Sequence, residues 1–212
     1  MKRPLALLLA LCLPFAALAQ SLAPPPVAAR AYFLLDTLSG QALAAQAEDD
    51  RFEPASLTKL MTAYLVFAAI RDRKLDPAAN VAVSETAWKA GGARMFIEPR
   101  KPVTVADLVR GMIVQSGNDA TIALAEAVAG SEEVFAQLMN REARRLGLRN
   151  TNFVNSTGLP APEHYATARD MALLAAALIR DFPADYALYS QKEYTWNGIT
   201  QANRNRLLWL EP

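Results

Sequence analysis

The 212-residue chain predicts an α+β fold, and three features of its pattern carry that reading. Two short apolar runs, Ala31 to Asp36 and Gln41 to Gln46, flank a Ser39-Gly40 turn signal and predict an antiparallel hairpin near the start. Segments with apolar residues three and four apart fill the middle, as amphipathic helices require. Near the end, Lys192 to Trp196 and Ile199 to Gln201 flank Asn197-Gly198, a two-residue hairpin signal. Strands, then helices, then strands point to an antiparallel sheet with a segregated helical subdomain, and both hairpins are expected in one sheet.

Residues 1–19 read as a secretory signal. Lys2 and Arg3 precede an apolar stretch from Leu5 to Leu18, and Ala17-Leu18-Ala19 supplies the small residues of a cleavage site. A mature terminus at Gln20 and a periplasmic location follow. Residues 20–30, with Pro24, Pro25 and Pro26, form an extended lead-in. Residues 31–212 suit one domain. Pro54 and Ser56 open an apolar helix that runs to the charged Arg71-Asp72-Arg73-Lys74. Thr104 caps a helix through Met112, and helices Asn118 to Ala129 and Glu132 to Leu146 are separated by Gly130-Ser131. Asn150 to Tyr165 is a long polar loop, a kind of segment that often carries function. Ala168 to Arg180 is the next helix.

Composition excludes several chemistries. Of 22 basic residues, Lys2 and Arg3 lie in the signal; the remainder nearly matches the 21 acidic ones, which gives no reason to expect nucleic acid. The single cysteine, Cys12, also lies in the signal, so the mature chain has no disulfide, thiol nucleophile or Cys-based metal site. The single histidine, His164, rules out a multi-histidine metal centre and reads as a solvated loop residue. No cofactor or metal is expected.

Ser56 and Lys59 stand three positions apart at the start of the apolar helix, hydroxyl and amine on one face. A serine attacks only when something takes its proton, and a lysine takes it only when neutral. The residues after Lys59 are apolar almost all round, which predicts a buried helix and a lowered lysine pKa. Ser116-Gly117-Asn118 falls at a helix junction, where Ser116 offers a second hydroxyl for proton relay and the Asn118 amide a means of orienting substrate.

Ser-x-x-Lys with Ser-x-Asn resembles the signature of penicillin-binding proteins and class A β-lactamases. Longer runs are similar to the D-alanyl-D-alanine carboxypeptidase group of low-molecular-mass penicillin-binding proteins. They are Pro54 to Thr62, Gln115 to Ala120, Ala168 to Leu173, Asn197-Gly198-Ile199, Asn203-Arg204-Asn205 and Leu207-Leu208-Trp209. The resemblance implies a β-lactamase/transpeptidase-like fold and acyl transfer on a peptidoglycan stem peptide ending in D-Ala-D-Ala. Ser56 would be the acyl-ester nucleophile, Lys59 the proton acceptor, Ser116 the relay and Asn118 a substrate-binding residue. β-Lactam antibiotics would acylate Ser56. The Ser56 backbone N–H would form half of an oxyanion hole. A serine β-lactamase is the alternative enzyme; Glu163 is the only acid in the long loop, without the E-x-x-L-N pattern that class would need.

The group's Lys-Thr-Gly strand would follow a segment like Asn203 to Trp209, and no Lys-Thr-Gly or Lys-Ser-Gly occurs. The chain therefore reads as a catalytic domain that stops before that triplet. The later strands, a second lysine that would help keep Lys59 neutral, and an amphipathic membrane-anchoring tail are then lacking too. A scaffold or weak cell-wall peptide binder without activity is the corresponding non-enzyme expectation.

Overall fold

A computed structural model of the protein describes residues 26–210; the expected signal segment, residues 1–19, and the start of the expected lead-in lie outside them. Strands β1 (Tyr32–Leu35) and β2 (Ala42–Gln46) pair antiparallel around the Ser39-Gly40 turn. A 3-10 turn, Ala55–Thr58, runs straight into α1 (Lys59–Arg71). The short α2 (Glu85–Trp88) precedes α3 (Val105–Gln115), α4 (Asn118–Ala129) and α5 (Glu132–Arg145). After the long loop come α6 (Ala168–Asp181), α7 (Pro183–Tyr186) and the hairpin β3 (Glu193–Trp196) and β4 (Ile199–Ala202).

Helix α1 is the centre of the molecule. It touches α3, α4, α5 and α6, and Met61, Ala63, Val66 and Phe67 are buried along it. A helix apolar on every side is stable only when other elements surround it. Around it the core is completed by Leu108, Leu124, Phe135, Met139, Phe153 and Leu174. The surrounding helices start where their caps dictate: Thr104 Oγ1 accepts from Asp107 N–H, Ser131 Oγ from Val134 N–H and Thr167 Oγ1 from Asp170 N–H. Helix α3 runs to Gln115, three residues past the sequence expectation, because Met112, Val114 and Gln115 are all buried.

The strands are grouped differently from expectation. Among the described residues the two hairpins are separate two-stranded sheets. The first packs on α6, with Arg169 bonded to Glu48 and Asp49 behind β2. The second packs on α3, where Tyr194 Oη donates to Asp107 at 2.8 Å and Gln115 Nε2 donates to Gln201 Oε1 at 2.7 Å. Those side-chain bonds tie each hairpin to its own helix. Among the described residues no helix is long and apolar enough to cross a membrane.

Candidate active site

The site is built where three elements meet: the 3-10 turn before α1, the α3–α4 junction and the loop 150–165. Ser56 lies exposed in the turn, while Lys59, one turn on, is buried at the start of α1. Ser116 ends α3 in a left-handed conformation, φ 61° and ψ 37°, which turns its hydroxyl back toward the first turn of α1. Ser116 Oγ reaches Ser56 Oγ at 2.9 Å. Lys59 Nζ stands 3.2 Å from Ser56 Oγ. The three predicted groups are therefore in contact.

The amine has two further neighbours, Asn118 Oδ1 at 2.7 Å and the Thr157 carbonyl at 2.8 Å. Both can only accept. A neutral amine has two N–H donors and one lone pair, so these oxygens take both hydrogens. The lone pair is left for the Ser56 hydroxyl. Burial, with the Arg204 guanidinium adding like-charge repulsion, brings the Lys59 pKa down to about 8. Arg204 supplies the second cation that sequence reasoning looked for in a lysine. Its backbone N–H donates to Val114 O and its Nε to Gln115 O, at the end of α3 beside Ser116.

Asn118 has both ends of its amide engaged inside the protein. Its Oδ1 accepts from Lys59 and its Nδ2 donates to Gly91 O at 2.7 Å, so it holds the lysine to the 91–97 segment. The neighbouring Asp119, fully buried, accepts from the backbone N–H groups of Met95, Phe96 and Ile97 and fixes the same segment.

The long loop is clamped onto the 3-10 turn. Thr62 Oγ1 donates to Ser156 O at 2.7 Å, and Asn155 Oδ1 accepts from the N–H groups of Thr157 and Gly158. Gly158 lies against Ala55 so closely that an added Cβ would fall 1.7 Å from Ala55 O. Thr157 was missed from the sequence because its contribution is a backbone carbonyl; the Asn155 to Gly158 turn signal was the only trace. His164, expected to be solvated, is 4% exposed and bonded to Thr58 at 2.9 Å. Phe153, Thr58 and the loop enclose it, and burial lowers its pKa. Glu163 is exposed and does not line the cleft around Ser56. That cleft, about 180 Å³, is bounded by Leu57, Leu60, Met112, Ile113 and Tyr189 besides Ser56, Lys59 and Ser116. Among the described residues no group of three or more His, Cys, Asp or Glu could hold a metal.

Comparison with known proteins decides the family. The D-alanyl-D-alanine carboxypeptidase family matches residues 18–212. The chain belongs to that family. It is 50% identical over 196 residues to the Escherichia coli (strain K12) D-alanyl-D-alanine carboxypeptidase DacC, covering 90% of this chain and 49% of the relative. Penicillin binding protein 5 from Haemophilus influenzae superposes with a TM-score of 0.86 at 46% identity, covering 89% of this chain and 56% of that one. Penicillin-binding protein D2 from Listeria monocytogenes, solved in an ampicillin-bound form, gives a TM-score of 0.77 at 29% identity, covering 87% and 76%. The β-lactamase/transpeptidase-like fold expected from the sequence is thus the fold of this family member. The chain spans about half the length of the curated relatives it matches.

Proposed function

We propose that this chain carries the acylation centre of a serine D-alanyl-D-alanine carboxypeptidase of the cell wall. Its substrate is a peptidoglycan stem peptide ending in D-Ala-D-Ala, and it works in the periplasm after removal of residues 1–19. The observation that carries the reading is the saturated environment of Lys59, whose two hydrogens are taken by Asn118 and Thr157. Only Ser56 is left to give it a proton.

Ser56 Oγ attacks the penultimate carbonyl as its proton passes to Lys59 Nζ. The carbonyl oxygen becomes an oxyanion, for which the Ser56 N–H at the start of the helical turn is a donor. Collapse of the tetrahedral intermediate breaks the peptide bond. The proton held by Lys59 is relayed by the Ser116 hydroxyl, 2.9 Å from Ser56 Oγ, to the departing D-alanine amine. Water then hydrolyses the acyl-enzyme. Asn118 acts in this scheme as the support of Lys59, with substrate contact secondary. A β-lactam, strained at the equivalent amide, acylates the same oxygen; the ampicillin-bound relative is consistent with this.

The test is labelling with a fluorescent penicillin, together with D-alanine release from a stem-peptide analogue. Ser56→Ala is expected to abolish labelling. Lys59→Ala is expected to slow it by about a hundred- to ten-thousandfold, the usual range for loss of a positioned base. Labelling that survives Ser56→Ala would overturn the assignment.

A further inference from the structure

His164 is an ionisable side chain enclosed beside the site that the scheme above does not use. Its position is specific. Val154 N–H donates to His164 Nδ1 at 3.1 Å, so that nitrogen is the acceptor and the proton of the neutral ring resides on Nε2. Nε2 stands 2.9 Å from Thr58 Oγ1 and donates to it. Thr58 is fully buried between Ser56 and Lys59. The ring thus joins the turn that carries nucleophile and base to the strand of loop that leads, three residues on, to the Thr157 carbonyl.

The backbone is arranged to place it there. Glu163, directly before it, is held at φ 62°, a left-handed conformation that a non-glycine residue adopts at a cost. Asn152 Nδ2 donates to Glu163 O at 2.7 Å, and His164 N–H donates to Ala161 O at 3.1 Å. Ring and carbonyl serve the same clamp, because Gly158 packs against Ala55 and against Thr58 Oγ1, the atom that the ring bonds.

We propose that His164 is a positioning residue of the acylation centre: its neutral ring staples loop 154–158 to the Ser56 turn, and protonation of Nδ1 opens the staple and withdraws the Thr157 carbonyl from Lys59. Protonation turns the acceptor of the Val154 N–H into a second donor pointed at it, so that bond is lost and two hydrogens are opposed. Lys59 then loses one of the two oxygens that aim its lone pair. The charged groups on the packed elements are Glu53 and Lys59 flanking the turn, Glu163 next to the ring and Glu132, which accepts from Ser156. Glu53 favours the protonated ring, but burial outweighs it. The staple is therefore intact at neutral pH and opens only in acid.

The proposal rests on the acylation reading, and its test separates the two. Penicillin acylation rates are measured from pH 5 to 9 for the wild-type chain, His164→Gln and His164→Ala. NMR follows the imidazole and the amides of Val154, Thr157 and Gly158 in the unacylated chain. Wild-type log rate against pH is expected to have a slope of about one from Lys59 alone, steepening toward two below the ring's pKa. His164→Gln, which can still donate to Thr58 but cannot titrate, is expected to keep a slope of one down to pH 5. His164→Ala is expected to be slower at every pH by on the order of ten- to a hundredfold, as misplacement of a catalytic group produces. Steepening retained in His164→Gln, or a ring that titrates while the Val154 and Thr157 amides stay unmoved, would overturn the proposal. Absence of labelling in every chain would instead count against the acylation reading, and the NMR titration would still decide the staple.

Discussion

Lys59 has two N–H groups engaged by carbonyl oxygens and is buried at the cleft wall, so its chemistry follows from desolvation. With a pKa near 8 instead of the usual 10.5, a useful fraction is neutral at physiological pH. Around neutral pH acylation is expected to rise about tenfold per pH unit up to that value and to level off above it. A pH profile of penicillin labelling checks this; a plateau already reached by pH 6 would contradict it. The same displacement costs stability. The unfolded chain binds the extra proton between about pH 8 and 10.5, so the unfavourable contribution is complete below pH 8 and fades as pH rises through that window. At about 1.4 kcal/mol per unit, it amounts to no more than about 3 to 4 kcal/mol.

Elements place these residues by close contact as much as by hydrogen bonds, and two glycines separate the effects. Gly158 and Gly130 have nearly the same φ, +83° and +82°. Beyond Gly130 lies open space, whereas Gly158 has Ala55 O and Thr58 Oγ1 where a Cβ would go. Gly130→Ala is expected to cost about 1–2 kcal/mol, the conformational penalty alone. Gly158→Ala is expected to cost more and to remove activity, since the loop must lift from the Ser56 turn. Denaturant unfolding of the two variants tests this, and equal losses would show that the loop contact is not tight. The helix starts were legible in the sequence because each carries its own cap, as at Thr104, Ser131 and Thr167. The loop was legible only as a loop. Its course is set by tertiary bonds, such as Thr62 to Ser156, whose partners stand 94 residues apart and leave no local pattern.

At the scale of the molecule, an all-round apolar helix in the sequence became the central helix of the structure, and Ser56, Lys59, Ser116 and Asn118 converge at its start. These were legible because short spacing and helix burial are local properties of the chain. Arg204 and His164 were not, since their importance depends on which surface the second hairpin and the long loop fold against. The grouping of strands was misjudged for the same reason: alternation marks a strand, but side-chain bonds to α3 and α6 decide its neighbours.

Rooting the base in the core also divides the cleft by its tolerance of mutation. Lys59, Thr58, Thr62 and Asn118 are all buried and each is bonded across to another element, so a change at any of them is paid in folding as well as function. Leu57, Leu60, Ile113 and Tyr189 line the cleft together with Lys59 but remain partly open to solvent. Selection between one acylating ligand and another therefore has room to work only along that apolar rim. In a saturation library sorted first for folded protein and then for penicillin labelling, rim variants are expected to survive the first sort and spread widely in the second. Variants at the four buried positions are expected to be lost mostly at the first. An equal spread from both groups would mean that the site adapts its ligand preference from within the core.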